Sequence, residues 1–149
     1  MRIEVDMSGK IEQTDMDTII AFSNRNQYAV LLPKELKRRL IKKYRAERQI
    51  ILKLFVICLY YAIKEYLHVI EFIIIDKEYE GKDNYIKSML LNFIRKNYPR
   101  FDKQLIKFAL ITKKSKAHEA AANIKRGFAK AQRTLSESDI ERMIQGAQR

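Results

Sequence analysis

Residues 69–75 read Val-Ile-Glu-Phe-Ile-Ile-Ile, apolar at nearly every position and rich in β-branched side chains, and Asp76 closes the run. A segment of this kind, too short for an ordinary helix, is expected as a central strand covered on both faces. A second strand-like run, residues 2–5, ends on another carboxylate, Asp6. Two acidic side chains at the mouths of two buried strands form the kind of oxygen donor set that Mg²⁺ or Mn²⁺ prefers.

The chain has 149 residues, of which only six are Gly or Pro, so a single domain spanning 1–149 with a core of ordinary size is expected. Thirty Lys and Arg against eighteen Asp and Glu give a net charge of +12. That excess concentrates polyanions near the surface, and nucleic acid is the implied partner, with DNA expected ahead of RNA. Cys58 is the single cysteine, which excludes an intramolecular disulfide and a cysteine-based zinc cluster. The apolar run 50–63 is too short to span a bilayer and carries Lys53. No signal-peptide pattern opens the chain, so no membrane partner and a cytoplasmic location are expected.

Three β segments come first, at 2–6, 18–23 and 27–32, with residues 11–13 open as a continuation of the first. Short connections, including the turn-forming Asn24-Arg25-Asn26, imply an antiparallel meander. Pro33 suits the first turn of a helix, and no Gly or Pro interrupts 34–67. That stretch reads either as one long helix or as two joined near 45–48. Further segments follow as a strand at 69–76, a helix at 83–97, a strand at 105–112 and a helix from about Ala117. A short helical extension occupies about 134–149, with Ser136 or Ser138 as its cap.

The resulting order, β-β-β-α-β-α-β-α, predicts an α/β fold with a five-stranded mixed sheet, three strands antiparallel and two parallel, flanked by helices. Right-handed crossovers place the fourth strand beside the first. Asp6 and Asp76 then end on adjacent parallel strands, close enough to serve a metal pair about 4 Å apart in phosphodiester chemistry.

This element order resembles the ribonuclease H-like superfamily, and Asp6-Met7-Ser8 is similar to its Asp-x-Ser start, with Met where a small residue often stands. The resemblance implies a metal-dependent endonuclease, with Holliday-junction resolvases as small, basic relatives and branched DNA as a candidate substrate. It implies Asp76 as the acid at the end of the fourth strand. It also implies an acid on the first helix, among Glu35, Glu47 and Glu65, with Glu47 preferred because it opens the apolar portion. A last acid is implied on the final helix, where Glu119 fits. Asp6, Glu47, Asp76 and Glu119 are thus the expected catalytic residues, and Asp6, Asp76 and Glu119 the expected metal ligands. His118 could orient water or shuttle a proton but reads foremost as a surface histidine. Glu78 and Glu80, just past Asp76, could also reach metal but read foremost as solvated loop residues. Asp15, Asp17, Asp83, Asp102 and Asp139 fall in turns or caps.

Eight of the fifteen residues at 34–48 are basic. Lys37, Arg38, Lys42 and Lys43, with Lys113, Lys114 and Lys116 further on, are the expected nucleic-acid contacts, and Lys125, Arg126, Lys130 and Arg133 continue that second basic cluster. Glycine-rich phosphate loops, Cys/His zinc patterns and nucleophile–base pairs are missing from the sequence, which argues against a nucleotide kinase, a zinc finger and a hydrolase of the serine or cysteine type. Two other readings stay open. One is a basic nucleic-acid-binding or assembly protein that keeps the fold without a complete acidic cluster. The other is a protein-interaction module, should Tyr60, Tyr61 and Tyr66 stand exposed. The sequence leaves a homodimer open.

Overall fold

The computed structural model describes residues 1–23, 27–111 and 115–147. Its first strand, β1 (Arg2–Ser8), alternates cleanly: Ile3, Val5 and Met7 enter the main core, while Glu4 and Asp6 project to the opposite face. Gly9 ends the strand at φ +77°, where a Cβ would lie 2.1 Å from the carbonyl oxygen of Asp17, so only glycine fits. Residues 11–13 do not extend β1. Gln13 N–H donates to Lys10 O, closing a turn whose Ile11 is fully buried.

Strands β2 (Thr18–Ser23) and β3 (Gln27–Leu32) complete the antiparallel meander. The connecting turn expected at Asn24–Asn26 lies outside the described residues. Next come helices α1 (Lys34–Lys43) and α2 (Ile50–Ile63), so the two-helix reading of this stretch is the observed one. Gln49, at φ +60°, breaks the helical path between them. Helix α2 is apolar nearly all round because it is buried nearly all round, against the sheet, α3 and α5.

The strand expected at 69–76 is shorter, β4 (Phe72–Asp76), because the N–H groups of Val69 and Ile70 both donate to Tyr66 O and close a turn. Helix α3 (Asp83–Arg95), strand β5 (Ile106–Ala109) and helix α4 (Lys116–Lys125) follow. Among the described residues the sheet has six strands rather than five, in the order β5-β4-β1-β2-β3-β6. The sixth, β6 (Arg133–Thr134), is two residues long and pairs in parallel with β3; a pair that short leaves no hydrophobic period to read.

Helices cover both faces. On one side α2 and α3 bury the apolar residues of β1 and β4. On the other, Ala120 and Ala121 of α4 pack on Ile19, Ala21 and Ala29, small side chains that let the helix approach the sheet. The C-terminal helix α5 (Glu137–Ala147) is part of the body rather than an appendage. Its Ile140 and Ile144 enter the main core, Tyr61 Oη donates to Asp139 O at 2.8 Å, and Tyr44 Oη donates to Glu141 at 2.6 Å. Tyr60 and Tyr61 are buried, and Tyr66 packs edge-on against Phe22 and Tyr28, so the tyrosines do not form an exposed patch. No helix among the described residues is long and apolar enough to cross a membrane.

Candidate metal centre

Register brings the first two acids together. Strands β1 and β4 run parallel with Val5 opposite Ile75, so the next residues, Asp6 and Asp76, share a level and a face at the C-terminal mouth of the sheet. Glu78 follows two positions after Asp76, and its carboxylate turns back to the same place. Oxygens of Asp6, Asp76 and Glu78 all lie within 4.8 Å of one another. Oxygens that each lie about 2.1 Å from one Mg²⁺ are about 3–4 Å from one another, so three carboxylates at this spacing are a donor set that could hold a hard divalent cation.

Hydrogen bonds hold the acids in place. Asp6, only 4% exposed, accepts from Met7 N–H at 2.9 Å through Oδ1 and faces His118 Nδ1 at 2.9 Å through Oδ2. Ser115 caps α4 by accepting the N–H of His118, which fixes the first turn carrying the imidazole. Asp76 Oδ1 accepts from Ile111 N–H at 2.7 Å, which ties the segment after β5 to the site.

Crowding raises the cost of ionising Asp6 and Glu78. Burial pushes the Glu78 carboxyl up to about 8, reinforced by Asp76 and Asp6, with Lys10 opposing. Asp6 is also raised, chiefly by burial, although His118 and the Met7 N–H pull it down. A group of acids that holds a proton near neutrality for lack of positive charge is a group that a divalent cation would satisfy. Beside it, a cleft of about 660 Å³ opens between Glu78, Asp83, Phe108 and Leu110.

Of the four acids expected from the sequence, Asp6 and Asp76 meet and the other two do not join them. Glu47 sits at the joint between α1 and α2, where it accepts from Lys53 Nζ at 2.7 Å. Glu119 is exposed on the first turn of α4, one position past the residue that reaches Asp6. His118 is therefore not a plain surface histidine, and Glu78 is not a plain loop acid. The i, i+2 spacing from Asp76 is the sequence signal for Glu78. A histidine at a helix start, beside Glu119, is the signal for His118, and it is the imidazole rather than its acidic neighbour that faces the site.

The expected nucleic-acid contacts divide as well. Lys37 is fully buried, its Nζ donating to Lys10 O, Gln13 O and Thr18 Oγ1, and burial lowers its pKa. It is a tie for the 10–18 loop and cannot meet phosphate. Arg38, Lys42, Lys43 and Lys116 are exposed. Arg38 also donates to Thr14 O, and Lys43 pairs with Glu141 at 2.9 Å. Lys113 and Lys114 lie outside the described residues. Exposed Arg39, Arg45 and Arg48 enlarge the basic face of α1 and the joint after it.

Comparison with protein-family models, with curated proteins and with solved structures returns no match to this chain.

Proposed function

We propose that this chain is a metal-dependent endonuclease of the ribonuclease H-like kind, acting on nucleic acid, with branched DNA among its substrates. The observation that carries the reading is the convergence of Asp6, Asp76 and Glu78 at the mouths of two adjacent parallel strands. The order β5-β4-β1-β2-β3 supports it, with the fourth strand beside the first as right-handed crossovers lead one to expect. So does the net charge of +12, with the exposed cations of α1 available to a phosphate backbone.

In this reading Asp6, Asp76 and Glu78 hold Mg²⁺ or Mn²⁺, and His118 positions Asp6. A cation bound there would supply Lewis acidity to a phosphodiester and lower the pKa of water near it. The residues themselves contribute preorganisation. Met7 N–H, Ile111 N–H and His118 hold the carboxylates of Asp6 and Asp76, so little reorganisation remains on loading.

One observation favours the non-catalytic reading instead. Neither Glu47 nor Glu119 joins the cluster, so the fourth acid that the resemblance implies is not in place. The experiment that separates the two is a cleavage assay on labelled duplex, RNA–DNA hybrid and four-way-junction substrates with and without Mn²⁺. Metal-dependent cleavage of any of them supports the enzyme. Salt-sensitive binding without cleavage supports the binding protein.

A further inference from the structure

The turn after α4 carries the most exposed aromatic ring among the described residues. Phe128 is 77% exposed, although the backbone around it is firmly built. Gly127 takes φ +82° and donates to Ile124 O at 3.1 Å, while Phe128 N–H reaches back to Asn123 O at 2.9 Å. These two bonds form a Schellman end, in which an apolar residue at the position of Phe128 ordinarily folds onto the last turn of its helix. Here the ring stands out in solvent instead. The far end of the turn is also fixed, because Gln132 N–H donates to Ala29 O at 3.0 Å and Gln132 Oε1 accepts from Ala29 N–H at 2.6 Å. Phe128 is thus a ring presented on a braced loop.

The chain on either side of it carries charge of one sign. Between Glu119 and Glu137 the chain has no acidic residue and four basic ones, Lys125, Arg126, Lys130 and Arg133. Arg133 is committed to Asp139 at 2.9 Å and to the Tyr61 ring, whereas Lys125, Arg126 and Lys130 are exposed and lie within three positions of Phe128 in the chain. An exposed aromatic ring on a braced turn, with cations on either side of it in the chain, suits a partner that offers flat, unpaired rings on a polyanionic chain, with stacking and phosphate contact acting together. A duplex keeps its base faces covered, and an apolar protein surface has no use for the cations.

We propose that the turn 125–130 is a contact for single-stranded nucleic acid, in which Phe128 stacks on a nucleobase while Lys125, Arg126 and Lys130 meet the flanking phosphates. The contact rests on the nucleic-acid part of the reading above but not on cleavage. Helix α4 rises about 10 Å from His118 to its last residue, Lys125, so the turn stands away from His118 and would hold a strand beyond the acidic cluster.

Because the chain has no tryptophan, Phe128→Trp creates a single fluorescent reporter at the site. The full-length variant is titrated in EDTA with oligothymidylate and, in parallel, with a blunt duplex of equal length, while anisotropy of the labelled nucleic acid reports total binding. The expected result is strong quenching of Trp emission by the single strand and little by the duplex. Phe128→Ala should bind the single strand about tenfold more weakly, within the range of one missing base stack, with an unchanged circular-dichroism spectrum. Phe128→Leu should not restore the affinity. Binding by anisotropy with unchanged emission overturns the stacking contact and leaves the proposed function standing. Binding of neither nucleic acid overturns both. Emission that shifts with protein concentration alone assigns the ring to a second copy of the chain and also overturns the proposal.

Discussion

His118 Nδ1 lies 2.9 Å from Asp6 Oδ2, joining the first turn of α4 to the end of β1 across 112 positions of sequence. The imidazole is 40% exposed and the carboxylate only 4%, so the contact shields the buried acid while leaving the ring open on its other side. It also opposes the burial that raises Asp6. Without the imidazole, Asp6 is left beside Asp76 with the Met7 N–H as its remaining support in the strand.

His118→Ala should therefore weaken Mn²⁺ binding by about 10–100-fold, the usual cost of removing a partner that holds a ligating carboxylate. His118→Asn, whose amide can donate from nearly the same point, should recover part of that affinity. Isothermal titration with Mn²⁺ measures both. Equal affinity in parent and Ala variant would remove His118 from the site.

Glu78 gives a pH signature in the absence of metal. Its carboxyl, ordinarily near 4.5, is pushed up to about 8 by burial beside Asp76 and Asp6. The folded chain then keeps a proton that the unfolded chain has released, so this group makes stability fall as pH rises from about 4.5 to about 8. Below that window both states are protonated and the effect vanishes. Glu78→Gln cannot ionise and should melt above the parent at pH 8 in EDTA, with the two curves converging near pH 4. A parent more stable than the Gln variant at pH 8 without metal would contradict the crowding of the three acids.

Lys37 and Lys42 share helix α1 but belong to different environments. Lys37 ties three oxygens in the interior, and Lys42 faces solvent. Lys37→Ala should cost about 2–4 kcal/mol of stability, combining a cavity with unsatisfied carbonyls. Lys42→Ala should leave the melting temperature unchanged and weaken binding to all sequences alike. On duplex DNA its salt slope should be shallower by about 0.9 for each phosphate that is no longer neutralised. Chemical denaturation and a salt titration by anisotropy read the two effects separately. A salt-independent affinity would mean that phosphate contacts do not dominate.

What the sequence made legible follows from the range of the signals. The runs of β1 and β4 carry their own period and length, and right-handed crossovers then put Asp6 beside Asp76 without further information. Charge pattern alone misassigns Lys37, because a lysine among seven other basic residues looks solvated until the 10–18 loop is folded over it. The same limit explains Glu47 and Glu119. Their positions near helix starts are readable, but which face meets the sheet mouth depends on helix packing, and that packing turns His118 inward instead of Glu119. Strand β6 and the seating of α5 in the core come from contacts with β3, Tyr44 and Tyr61, which no local period encodes.

The decisive variant is Asp76→Asn. Asp76 is the middle member of the acidic trio, raising the cost of ionising both Asp6 and Glu78. The amide keeps the shape of the side chain and, through its oxygen, the bond from Ile111 N–H, but it removes one negative charge. Folding should survive, and the melting temperature in EDTA should rise slightly as repulsion within the trio falls. Substrate affinity should hold or tighten, because a phosphate brought within about 4 Å of a carboxylate is repelled by roughly 4 kcal/mol at an effective dielectric near 20. Cleavage in Mg²⁺ should drop by more than about a hundredfold, beyond the effect of an outer partner such as His118. Matched rates of folding, binding and cleavage in parent and variant would take Asp76 out of the chemistry. A parent inactive on every duplex, hybrid and branched substrate, yet binding them with steep salt dependence, would move the chain to the nucleic-acid-binding reading.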